Sequence, residues 1–129
     1  MPAPAAYFYS ATAKVDAQTA FRDLIDAGTG AGKIFLYDEQ DVLLAEIPLN
    51  DPCGTVDVAG LLTITASGPD TSADASGTCT WGEIADSDDL VHLTLPALQA
   101  VNPVAGYLVL NSTQIISGTE VTLSSCVIG

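Results

Sequence analysis

Asp70–Thr71–Ser72–Ala73 and the acidic run Asp86–Ser87–Asp88–Asp89 are the stretches whose residue types first suggest chemistry. An Asp-Thr-Ser-Ala run can supply one of two aspartates that share a proton and activate water. Such a site follows an apolar strand directly, whereas here Ser67–Gly68–Pro69 intervenes and the surroundings are polar. Asp70 is therefore read as a residue that holds a loop and performs no chemistry. Asp86, Asp88 and Asp89 could offer oxygens to calcium, but the spacing lacks the glycine and distal glutamate of an EF-hand loop. The reading is a turn that solvates its own charges, with no metal site. His92 is the single histidine, and a nucleophilic triad needs a serine and an acid around it. None is placed there by the sequence, so His92 is expected to be exposed on a polar strand face.

Two further signals also fail as chemistry. The run GTGAGK (Gly28–Lys33) looks like a phosphate loop, yet Ala27 stands at the first glycine position and Ile34 where a magnesium-binding hydroxyl belongs. A phosphate loop also runs from strand to helix, and here a helix runs into glycines and then a strand. The glycines are expected to end the helix and reverse the chain. Cys53, Cys79 and Cys126 show no Cys-x-x-Cys or Cys/His spacing, so buried free thiols are expected and zinc is not. No catalytic, cofactor-binding or metal residue is assigned.

Charge narrows the partners. Lys and Arg number 3 against 16 Asp and Glu, a net charge of −13. Such a chain repels phosphate backbones, which excludes nucleic acid, and anionic membrane surfaces are disfavoured for the same reason. No apolar run approaches a membrane span. Only 15% of residues are charged and mean hydropathy is +0.37. That is too apolar for a disordered acidic chain and suits a single domain that hides surface in an assembly. MPAPAAYFYS lacks a basic region followed by a sustained apolar core, so no signal peptide is expected and synthesis in a reducing cytosol is.

The elements that must position these residues follow from periodicity. Residues 1–12 read as an extended arm, because Pro2 and Pro4 fix φ and remove donors ahead of the Tyr7, Phe8 and Tyr9 cluster. Three adjacent aromatics find no partner face within one domain. Pro2, Pro4, Tyr7, Phe8 and Tyr9 are therefore the expected contacts to a neighbouring subunit or other partner surface. Residues 13–129 read as one domain. Asp16–Ala27 is a helix with Ala17, Ala20, Phe21, Leu24 and Ile25 as its apolar stripe, Asp16 at its N-cap and Gly28 beyond its end.

Strands follow at Lys33–Tyr37 and Leu43–Leu49, and Asp51–Pro52–Cys53–Gly54 reads as a turn. The central pair is Leu62–Ser67 and the return run through Cys79 and Trp81, joined by the loop Gly68–Ser76. Trp81 is expected to point inward with Cys79 and anchor the core beside Leu62, Ile64 and Leu93. A bulge at Gly82–Glu83 then restores phase for Ile84. Leu90–Leu95 places Val91, Leu93 and Leu95 inward, and Pro96 and Pro103 bracket a loop. Short strands at Tyr107–Leu110, Gln114–Ile116 and Thr119–Val127 complete the chain. The fold class is mainly β, a β-sandwich or jelly-roll-like domain with one N-terminal α-helix.

The runs LIDAGTGAGKIFLYD, LLAEIPLNDPCG, DTSADASGTCTWGEIADSD and LNSTQIISGTEVTLSS together resemble a family of small structural proteins of tailed bacteriophages. In that family a helix ending in DAG-x-GAG leads into a strand, and a TSADA-x-GT-x-TW hairpin and a late LN-T-x-I-x-x-G-x-x-V segment follow. The resemblance implies a non-enzymatic head decoration (cement) protein with a β-sandwich core, bound to the major capsid protein on the capsid exterior. A homotrimer is the expected form, since capsids offer three-fold positions. The alternatives are a tail or head–tail connector component, an aspartic-type protease, or a secreted binding module.

Overall fold

The computed structural model describes residues 9–129. One helix, α1 (Ala11–Asp26), precedes nine strands. They are β1 (Lys33–Tyr37), β2 (Leu43–Val56), β3 (Leu62–Ala66), β4 (Gly77–Thr78), β5 (Trp81–Ala85), β6 (Val91–Gln99), β7 (Leu108–Leu110), β8 (Gln114–Ile115) and β9 (Leu123–Ile128). The protein is mainly β with one N-terminal helix. Seven of its strands close into a barrel in the order β1-β2-β3-β9-β7-β6-β5, and β4 and β8 form a separate two-stranded sheet. Neighbours in the barrel are antiparallel except β6 and β7, which are parallel. Closure pairs strands that would otherwise be edges.

Period-2 alternation builds the core. Ile34 and Leu36 of β1, Ala45, Ile47 and Leu49 of β2, and Leu62 and Ile64 of β3 point inward and are buried. Ile84, Leu95, Leu108, Leu110 and Cys126 meet them from the other wall. All three cysteines are free and buried. Burial raises the thiols of Cys53 and Cys126 to about 12 and that of Cys79 to about 11, with the Asp26 carboxylate adding to the effect at Cys53. Their thiolates are suppressed at neutral pH.

The helix is longer than its apolar pattern indicates. Ser10 is the N-cap, its hydroxyl accepting from the Ala13 amide at 3.1 Å. Asp16 therefore lies inside the helix, and residues 11 and 12, expected as the end of an extended arm, form its first turn. The stripe is also narrower: Phe21 and Ile25 pack on the core, while Leu24 is 47% exposed and Ala17 and Ala20 face solvent. The helix rests on β2, where the Asp26 carboxylate accepts from the Cys53 amide at 2.8 Å. Ala27 is already extended and Gly28 takes φ of 110°, a conformation that suits glycine.

Other expectations change where strands continue. Asp51–Gly54 is not a turn: β2 runs through it with a cis Asp51–Pro52 peptide and a register shift between Leu49 and Gly54. Pro96 likewise sits inside β6, opposite Trp81, instead of opening a loop. Trp81 does not join the core. The phase changes before β5, where the Cys79 amide donates to Thr113 O at 2.8 Å and the Thr80 amide to Tyr37 O at 3.0 Å. The chain there leaves the small sheet for the barrel, so Cys79 points inward and Trp81 outward, with Gly82 and Ile84 filling the interior. No bulge at Gly82–Glu83 is needed, since β5 pairs with β1 in unbroken register.

Candidate interface on the barrel wall

Three hairpins share one construction. Asp38, Asp57 and Asp86 each place a carboxylate oxygen on the amides two and four residues ahead, at 2.9 and 2.9 Å, 2.9 and 3.0 Å, and 2.9 and 3.1 Å. The fourth residue takes a positive φ each time: Asp41 at 63°, Gly60 at 85° and Asp89 at 67°. This is a three-residue hairpin loop in which an aspartate side chain replaces missing backbone partners.

The construction accounts for the acidic cluster. Asp86 is buried, and its second carboxylate oxygen lies 2.9 Å from His92 Nε2. His92 is accordingly not the exposed residue that the alternation of β6 implied. The His92 hydrogen bond, reinforced by the Leu90 and Asp88 amides, holds the Asp86 carboxyl below the usual carboxylate range against the opposing effect of burial. Asp89 pairs with Lys33 at 2.6 Å. Among the described residues, no group of three His, Cys, Asp or Glu side chains is placed to hold a metal ion.

Asp70 is bound into the scaffold. Its carboxylate accepts from the Glu46 amide at 2.8 Å and the Ser72 amide at 3.0 Å, and its backbone pairs with Val121. The loop that follows runs along residues 113–121, with Ala73 bonded to Thr119 and Gly118, and Ser76 to Ser117. The TSADASGTCTW and LNSTQIISGTEV blocks thus lie side by side. GTGAGK runs from α1 into β1, the reverse of the strand-to-helix order of a phosphate loop. Pro2, Pro4, Tyr7 and Phe8 lie outside the described residues. Tyr9 is 64% exposed, beside Ala13, Gln18 and Gly129.

The surface with the most concentrated chemistry is the outer wall of β2, β1, β5 and β6. Register aligns Tyr37, Trp81 and Pro96 in one row, and Glu46, Phe35, Glu83 and Thr94 in the next. Tyr37 and Trp81 stack with ring centroids 4.5 Å apart and planes 19° apart. Trp81 Nε1 donates to Asp38 O at 3.1 Å, which fixes the indole edge to the hairpin. The Tyr37 phenol meets the Glu83 carboxylate; burial first, then Glu83 and Asp41, push its pKa up to about 12. Lys33 ends the wall, its ammonium 2.6 Å from Asp89, 3.6 Å from Glu46 and 5.8 Å from the centre of the Phe35 ring. Sequence reading missed this strip because it placed Trp81 inside. The alternation Lys33, Phe35, Tyr37 on one side of β1 was the signal that an outward aromatic row existed.

Compared with protein families, curated proteins and solved structures, the chain matches none.

Proposed function

We propose that this protein is a structural component of a tailed-phage virion, decorating the capsid exterior and stabilising the shell by binding the major capsid protein as a homotrimer. The observation that carries a binding role is the outer strip of Phe35, Tyr37, Trp81 and Pro96 with Glu46 and Glu83 beside it. Partly exposed aromatic rings on a barrel wall gain from further burial against another protein at little cost in conformational entropy. The phage assignment rests on the sequence resemblance, whose most specific block is TSADASGTCTW. The acidity of the chain suits a position outside the shell, away from packaged nucleic acid. Against the protease alternative, both carboxylate oxygens of Asp70 are occupied by backbone amides.

Mass spectrometry of purified virions tests the reading. Abundance near that of the capsid protein is the expected result. A few copies per particle would move the protein to the tail or connector, and absence from virions would overturn the structural role.

A further inference from the structure

We propose that the outer strip docks an arginine-bearing segment of a partner protein, with guanidinium groups laid on the Tyr37–Trp81 rings and paired with Glu83 and Glu46. This rests on the reading above that the chain acts by binding another protein, and not on which part of the virion that is. Most polar hydrogens of the strip are already taken. Trp81 Nε1 is committed to Asp38 O, the Tyr37 phenol to Glu83, and the Lys33 ammonium to Asp89 and Glu46. What remains is chiefly aromatic face and carboxylate oxygen. A sugar ring needs donors as well as acceptors from its site. A guanidinium needs only acceptors and a π face: it is planar, always charged, stacks on aromatic rings, and donates to carboxylates in a fork.

Spacing leaves room for two such groups. Glu46 and Glu83 flank Phe35 across two strand intervals, which puts their backbones about 10 Å apart. Two basic side chains of one segment can each take one carboxylate there. Charge agrees with this. Lys33 is the one lysine or arginine on the strip and is shared between Asp89 and Glu46, which leaves the strip acidic in a chain of net charge −13.

The test is a titration of the full-length protein with a short peptide carrying two arginines between alanines, read by Trp81 fluorescence, Trp81 being the only tryptophan. The expected result is saturable quenching that weakens about three- to tenfold in the Glu46→Gln, Glu83→Gln double variant. A lysine peptide should bind more weakly and a glutamine peptide should give no saturable change. The charge-matched Asp16→Asn, Glu120→Gln variant alters exposed residues elsewhere and should bind as the wild type does. Equal weakening in that control would overturn the inference, since the effect would then be diffuse charge. So would absence of saturation at about 10 mM, which lies above the millimolar range of the weakest specific contacts. Stronger quenching by a neutral oligosaccharide would replace the partner with a glycan. Failure of peptide binding with capsid-level abundance in virions would remove this inference and leave the structural role. Binding without virion incorporation would do the reverse.

Discussion

The indole of Trp81 lies 4.5 Å from the ring of Tyr37, nearly parallel to it, on the outside of the barrel. The largest side chain of the protein is therefore a surface element, held by a stacking partner and one hydrogen bond to Asp38 O. Trp81→Ala should cost about 2 kcal/mol from lost stacking and partial burial, less than the roughly 3–5 kcal/mol of a core tryptophan. Acrylamide should quench the native emission readily, and an inaccessible, blue-shifted fluorophore would contradict the outward placement.

Gly82 is the inward counterpart of Trp81. A Cβ there would come within 2.5 Å of Leu108 Cδ1 and 2.8 Å of the Phe35 carbonyl oxygen. The backbone oxygen cannot move aside without breaking the β1–β5 register. Gly82→Ala should lose about 2–3 kcal/mol in denaturant unfolding, as overpacked core sites do. Gly68→Ala, where nothing lies within 4 Å, should stay within about 0.5 kcal/mol of the wild type.

Asp70→Asn separates a scaffold from a catalyst. The amide can satisfy one of the two backbone donors that the carboxylate now accepts, so a loss of about 1–2 kcal/mol is expected in thermal or denaturant melts. An acid-dependent peptidase activity in the wild type that disappears in this variant would restore the protease reading.

Asp86 makes part of the stability depend on acid pH. Its folded carboxyl is held below the usual value, chiefly by His92, so its contribution is complete above the unfolded value of about 3.9 and fades as pH falls through the lowered folded one. Asp86→Asn should therefore melt below the wild type at about pH 5, and the gap should narrow below about pH 4. A gap unchanged at about pH 2.5 would show that the loss is steric and not tied to the charge.

Local pattern was a sound guide wherever a residue's neighbours along the chain decide its side. Ile34 and Leu36, and Leu62 and Ile64, lie where alternation places them, because a paired strand exposes its two faces in strict turn. The hairpins at Asp38 and Asp86 were also legible as polar turns, since an aspartate can bond amides two and four residues ahead without outside help; the one at Asp57 was not, the turn there being expected at Asp51–Gly54.

What the chain could not reveal by itself is partner choice. Trp81 faces outward because residues 79 and 80 exchange Thr113 for Tyr37 as hydrogen-bond partners, a switch between two sheets that no local period records. His92 is half-buried because Asp86 has a free carboxylate oxygen aimed across the hairpin. The strip of Glu46, Phe35, Glu83, Tyr37, Trp81 and Pro96 comes from four strands whose register is set by barrel closure. Composition, strand periodicity and turn chemistry were in the sequence. Which face meets which, and so where a partner binds, was decided by long-range pairing, whose free energy exists only once the barrel closes.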